Sequence, residues 1–272
     1  MNAPAIITAR RRLLTLRPLD EIISRLGLST GLVLCLDAAA VGCYGGTGQT
    51  LTDLSGSGND YQLGATSGSE ASDPTFAGVA GDLLSTTYFS GDGADYFTPV
   101  AATTFDHPWV KDGAQFTVVS VLYLPDVITA AQNVVGNTSG IAAQARIEIS
   151  TAEKLIFQVL DDAGGVELNT TSTAGFVTSA WNFMAVSENE NGGAGASIRQ
   201  MGATQETFNG AYASPSATDP TSELLIWKRG ASSNIAQSGT RFGVMAAWSR
   251  NLSAVELERL RIALRAGRFP TI

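Results

Sequence analysis

Residues Arg241–Gly267 read RFGVMAAWSRNLSAVELERLRIALRAG, a strand-like run that passes directly into a well-marked helix. Ser253 and Glu256 stand three apart as a capping box, in which hydroxyl and carboxylate each satisfy an orphan N–H of the first helical turn. Leu252 and Leu257 flank the box as a hydrophobic staple. Leu257, Leu260, Ala263 and Leu264 recur at helical spacing, and Gly267 stands where a left-handed cap would close a helix over 254–266. Upstream, from Leu32 to Trp248, the chain reads as strands and turns. In Gln115–Leu124 (QFTVVSVLYL) the residues Phe116, Val118, Ser120 and Leu122 point one way and Thr117, Val119, Val121 and Tyr123 the other. Further runs of strand character are ARIEIS, KLIFQVLD, WNFMAVSEN, SIRQMG and ELLIWK. Strands at such intervals, with turn residues between them, predict a two-sheet antiparallel sandwich closed by one short helix.

The chain has 272 residues, 44% of them hydrophobic and 15% charged, enough to bury a sizeable core in one main domain. Its net charge of -8 is unevenly spread. Residues 1–27 hold five Arg against Asp20 and Glu21, residues 250–272 hold five Arg against Glu256 and Glu258, and the body between them is strongly acidic. Binding to a phosphate backbone needs clustered Lys and Arg, so no nucleic-acid partner is expected.

The segment RPLDEIISRLGLS predicts a short amphipathic helix with Leu19, Ile22, Ile23 and Leu26 on one side and Gly27 ending it. So short a helix is unstable alone, and its apolar side must dock either on its own sandwich or on a partner. Arg10, Arg11 and Arg12 precede it. They resemble the charged start of a secretion signal, but Arg17, Pro18, Asp20 and Glu21 interrupt the apolar run such a signal needs. Residues 1–30 are therefore expected to form an arm that anchors residues 31–272, and no stretch is long and apolar enough to span a membrane. Cys35 and Cys43 make no disulfide framework, and Cys35 in the apolar run LVLCLDAAA reads as a small core hydrophobe. The glycine-rich stretch Gly42–Gly48 lacks the Gly-Lys-Ser/Thr ending of a phosphate loop.

Taken in order, LDAA, TLTDLSGSGND, YFSGDGADYFTP, QFTVVSVLYL, WNFMAVSENENGGAGASIRQMG and RFGVMAAWSRNLSAVELERL resemble concanavalin A-like jelly rolls of the laminin-G-like type. The resemblance covers residues 32–267. It rests on an Asp-x-Ser-Gly-x-Gly turn at Asp53–Gly58, a Phe-Gly-Asp-Tyr hairpin at Phe89–Tyr96 carrying Ser90 as an extra residue, a strand opened by Trp181, and the closing strand and helix. It implies an all-β, two-sheet antiparallel jelly-roll sandwich with a short C-terminal helix and an N-terminal arm containing a short helix.

Glucan-cleaving relatives carry a Glu-x-Asp-x-x-Glu strand that places two carboxylates on one face. This chain has none. Glu188 and Glu190 fall in ENENGGAG, which reads as a solvated turn, and His107 is the only histidine, with no Gly-x-Ser-x-Gly elbow for a triad. The expectation is a protein that is not an enzyme and has no catalytic residue or cofactor. Lectin-like relatives often hold calcium with loop oxygens, and Asp53, Asn59, Asp60, Asp92 and Asp95 offer such ligands, although turn chemistry accounts for the same residues. A sugar platform needs an aromatic ring beside polar groups, which Trp109 with His107, Tyr44 and Tyr212 would supply; Trp181, Trp227 and Trp248 read as core.

Jelly rolls with a short arm and no export signal resemble structural proteins of tailed bacteriophages: head decorations, head spikes or tail-tip adhesins. The resemblance implies a non-catalytic virion protein made in the host cytoplasm and present in many copies or as a homo-oligomer. Residues 1–28 would join other virion proteins, and the sandwich would meet host-surface glycans. A bacterial carbohydrate-binding module, working outside the cell, is the alternative, and a divergent glycoside hydrolase or lyase the third reading.

Overall fold

The computed structural model describes residues 16–101, 112–137, 144–161, 163–192, 194–214, 223–230 and 234–272. Arg10, Arg11, Arg12, His107 and Trp109 lie outside these residues. Helix α1 (Leu19–Arg25) precedes strands β1 (Leu32–Asp37), β2 (Thr50–Leu51), β3 (Tyr61–Leu63), β4 (Thr75–Ala77), β5 (Tyr88–Ser90) and β6 (Phe97–Pro99). Then come β7 (Gln115–Leu124), β8 (Gln132–Asn137), β9 (Gln144–Ile149), β10 (Lys154–Leu160), β11 (Val166–Gly175) and β12 (Ala180–Asn189). The chain closes with β13 (Ala194–Met201), β14 (Thr204–Asn209), β15 (Leu224–Ile226), β16 (Arg241–Trp248) and helix α2 (Ala254–Gly267).

These strands form two antiparallel sheets of eight. The first has the order β14-β13-β12-β7-β16-β5-β4, with β1 also paired to β16, and the second the order β11-β10-β9-β8-β15-β6-β3-β2. The expected two-sheet sandwich is therefore present. One expected detail differs. Phe89 and Phe97 belong to β5 and β6, which lie in different sheets, so Gly91–Tyr96 carries the chain across the sandwich rather than round a hairpin.

The inward faces bury Leu122, Phe116, Phe157, Phe97, Trp227 and Phe242 in one core between the sheets. The outward face of the first sheet is apolar as well, which explains why β7 is apolar on both sides. Val119, Val121, Phe183, Ala185, Val244 and Trp248 on that face are covered by α1, α2 and Phe269. The capping box forms as predicted: the Ser253 hydroxyl accepts from Glu256 N–H, and the Glu256 carboxylate accepts from Ser253 N–H at 2.8 Å. Leu252 and Leu257 are both fully buried. The helix end differs from expectation. Gly267 remains helical and Arg268 ends the helix at φ -120°, because its guanidinium is drawn inward to the buried Asp37.

The N-terminal helix corrects another expectation. Gly27 does close it in the left-handed conformation (φ 73°), with Leu28 N–H donating to Ile23 C=O. Its apolar residues, however, are not offered to a partner: Leu19, Ile22 and Ile23 are buried against the outward face of the first sheet, and Leu26 packs beside them. Trp248 Nε1 donates to the Leu28 carbonyl at 2.7 Å, and the Leu19 amide donates to Asp37 Oδ2 at 3.0 Å. The apolar side of the described part of the arm is thus core. Ile23→Ala should lower stability by about 2–5 kcal/mol, as buried Ile truncations do, and urea unfolding of the full chain measures it. A loss below about 0.5 kcal/mol, the range of surface changes, would show that α1 is not part of the core.

Among the described residues Cys35 and Cys43 are free and buried, and Cys43 Sγ accepts from Asp37 N–H at 3.3 Å. No helix among them is long and apolar enough to cross a membrane.

Candidate functional site

Helices cover the outward face of the first sheet. The outward face of the second sheet carries a polar patch instead. Along β9 the residues Ala145, Ile147 and Ile149 enter the core, so Arg146 and Glu148 point outward. Leu155, Phe157 and Val159 do the same along β10 and turn Ile156 and Gln158 outward. The register aligns these residues in two rows, Gly136–Arg146–Gln158–Asn169 and Asn133–Glu148–Ile156–Thr171.

Arg229 reaches this face from beyond β15. A Cβ on Gly136 would meet Arg146 Cβ at 3.3 Å and Arg229 Cγ at 3.4 Å, so the two arginine stems flank the glycine and cover it. Trp227 sets up this placement. Its backbone is left-handed (φ 69°), a strained conformation for a bulky residue that costs on the order of 1–3 kcal/mol. The buried indole packs on Phe97 and Phe242, while the Trp227 backbone N–H donates to the Val134 carbonyl and its backbone C=O accepts from Ala236 N–H. The chain turns there, and Lys228 and Arg229 follow, with Lys228 Nζ 3.7 Å from the centre of the Tyr96 ring.

A hydrogen-bonded chain links the patch. Asn133 Nδ2 donates to the Asn234 carbonyl at 2.6 Å, and Asn234 Nδ2 donates to Glu148 Oε2 at 3.3 Å. Arg146 Nη1 stands 3.5 Å from the same oxygen, and Glu148 is only 4% exposed. Three buried atoms of the patch have no hydrogen-bond partner among the described residues: Arg146 Nε, Arg229 Nε and Asn133 Oδ1. Burial, followed by the positive charge of Arg146, pushes the Arg229 pKa below its usual value, with Glu148 opposing both. Polar groups buried without partners are uncommon in folded proteins, and three of the eleven such atoms among the described residues lie in this patch.

The sequence-predicted sites fare differently. Tyr44 is no sugar platform: its ring is buried on Phe76 and Phe89, and its hydroxyl donates to the Gly48 carbonyl at 3.0 Å. Tyr212 is also buried, and that burial, with Glu188 and Glu190 nearby, raises its pKa well above normal. Trp227 and Trp248 are core, and Trp181 packs on Phe269 on the outward side of the first sheet.

The five oxygen-bearing residues fall in two turns. Asp53 accepts from Cys35 N–H, Ser55 N–H, Ser55 Oγ and Asn59 N–H, and Asp60 accepts from Asp53 N–H. Asp95 accepts from Asp92 N–H at 2.8 Å, and burial, together with Asp92, raises its pKa to about 6. Turn bonding accounts for these carboxylates. Among the described residues no three His, Cys, Asp or Glu side chains gather as a metal site.

Glu188 and Glu190 are not solvated. Glu188 is fully buried at the end of β12 on the same inward row as Met184 and Val186, where Ser197 Oγ donates to its Oε1 at 2.8 Å. Burial raises its pKa to about 8. Glu190 Oε2 accepts from Gly113 N–H at 2.8 Å, and its Oε1 from Tyr212 N–H at 3.4 Å. Gly210 has no room for a side chain, since a Cβ there would collide with Glu188 and Ser197.

These two sheets and two helices define the chain as a β-sandwich protein. No protein-family model matches the sequence, and no curated protein matches it. Solved structures do match the fold. Trypanosoma rangeli sialidase in complex with sialic acid aligns at a TM-score of 0.56 and 13% identity, over 87% of this chain and 34% of that one. The botulinum neurotoxin type G receptor binding domain aligns at 0.56 and 12% identity, over 86% of this chain and 51% of that one. The serotype D binding domain aligns at 0.54 and 12%, over 86% and 50%. The chain thus spans about a third of the sialidase and about half of each toxin domain. At such identity the likeness is one of fold.

It nevertheless corrects the expectation that the chain is not an enzyme. That expectation rested on one missing glucanase strand and a single histidine. Sandwiches of this fold occur within sialidases, so those two absences exclude nothing.

Proposed function

We propose that this chain is an adhesive sandwich that recognises surface carbohydrate through the outward face of its second sheet, displayed on a multi-copy particle. The sequence resemblance favours a tailed-bacteriophage virion for that particle and the laminin-G-like type for the sandwich. The carrying observation is the patch of Arg146, Glu148, Gln158, Arg229 and Asn234 on a face that no helix among the described residues covers, with three buried polar atoms that lack partners among those residues. Amides, guanidinium groups and carboxylates at fixed spacing are the groups that bind sugar hydroxyls.

Two further observations support the reading. Among the structures of like fold, one holds sialic acid and others are receptor-binding domains. The sandwich also has a polarity suited to display. Helix α1 lies on the outward face of the first sheet, so a partner gripping residues ahead of it would leave the polar patch pointing away from the particle.

A glycan array probed with the full chain tests the proposal. Binding is expected, with a loss of about tenfold or more in Gln158→Ala or Asn234→Ala, the scale of one or two hydrogen bonds. Release of free sugar is followed in the same samples, since sandwiches of this fold occur in sialidases. Binding that is unchanged in both variants would place recognition elsewhere. Mass spectrometry of purified virions tests the assembly.

A further inference from the structure

Resting on the carbohydrate reading, we infer that the patch selects acidic sugars, whose carboxylate is held between Arg146 and Arg229 above Gly136. The two stems approach the same glycine from opposite sides, one from β9 and the other from the segment after β15. Each guanidinium keeps a buried Nε–H without a hydrogen-bond partner among the described residues. Among the described residues the only carboxylate at ion-pair distance from either is Glu148, near Arg146, and it is shared with the Asn234 amide. Lys228 adds a third positive charge at the edge, held on Tyr96. Two Arg, one Lys and one Glu leave the patch with surplus positive charge on a body that is acidic as a whole.

Local charge of this sign needs a reason. A planar carboxylate fits it, because it accepts from two guanidinium groups at once and such charge-assisted bonds are roughly twice as strong as neutral ones. A phosphate would satisfy the same donors. Gln158 and Asn169, in line with Arg146 on neighbouring strands, offer amides to the hydroxyls that surround a sugar carboxylate, which an inorganic phosphate does not carry.

The test compares ligands that differ only in charge. Tri-galacturonic acid and its methyl ester, and 3′-sialyllactose and its methyl ester, are titrated into the full chain by calorimetry, with inorganic phosphate as a further ligand. The acid of at least one pair should bind about tenfold or more tightly than its uncharged partner, and raised salt should weaken it. Arg146→Gln and Arg229→Gln should each bring the acid's affinity down to within about twofold of its uncharged partner's. Because the acid–ester comparison uses the unaltered protein, it stands even if a variant fails to fold. Equal binding of acid and uncharged partner would overturn the inference and keep the carbohydrate reading. Phosphate binding as tightly as the acids would overturn it in favour of a general anion site. Binding of no sugar at all would overturn both.

Discussion

Arg268→Ala is expected to destabilise the chain by about 3–5 kcal/mol, the cost of leaving one partner of a buried ion pair behind. Arg268 and Asp37 are almost completely inaccessible. The guanidinium contacts Asp37 Oδ1 and also donates to the carbonyls of Thr87 at 3.1 Å and Leu84 at 3.3 Å. Asp37 in turn accepts from the amides of Leu19 and Ala39 at 3.0 Å. Removal of the arginine strands a carboxylate in the interior and frees the segment after α2. Replacing both residues together with Asp37→Leu and Arg268→Met should recover much of the loss, because a pair of apolar groups needs no mutual compensation. Denaturant unfolding of the single and double variants measures this. A single-variant loss of under about 1 kcal/mol, typical of a surface pair, would show that water reaches the pair.

Stability should also fall as the solution is made alkaline. Glu188 has a folded-state pKa of about 8 against an ordinary 4.5, raised mainly by burial and also by the neighbouring Glu190. Between those values the native chain holds a proton that the unfolded chain releases. The contribution is full below about pH 4.5, declines through the interval and is gone above about pH 8, a change of roughly 4–5 kcal/mol at 1.36 kcal/mol per unit. Glu188→Gln keeps the shape and the acceptor for Ser197 Oγ but removes the titration. The variant should be more stable than the parent at pH 9 and close to it at pH 5. Unfolding curves that shift in parallel across this range would refute the assignment.

Local signals in the sequence reached the right architecture. The capping box, the staple and the alternating runs depend on neighbours a few residues apart, and such signals survive whatever the rest of the chain does. The covering of the first sheet was less legible. A strand that is apolar on both faces can lie between two sheets or under helices, and only tertiary packing distinguishes Val119 and Val121 from Val118 and Leu122. The polar patch was harder still. Arg146 and Arg229 stand far apart in sequence and meet because β15 inserts beside β8, a pairing no local pattern announces. One usable signal was present: in ARIEI the charged residues alternate with Ala145, Ile147 and Ile149, which fixes their face. Glu188 was missed in a similar way. Extending the period-two pattern of Met184 and Val186 by one more step places it inside.

The pairing of β1 with β16 also bears on how the molecule is made. Trp248 bonds to a carbonyl 220 residues upstream, and Arg268 to a carboxylate 231 residues upstream. At about 5–20 residues per second of synthesis, β1 and α1 leave the ribosome roughly 10–40 s before the strand and helix that complete them. Throughout that interval an apolar strand edge lacks its neighbour and Asp37 lacks its arginine. The nascent chain is therefore exposed to aggregation along this edge, and the first sheet closes only once β16 and α2 have emerged.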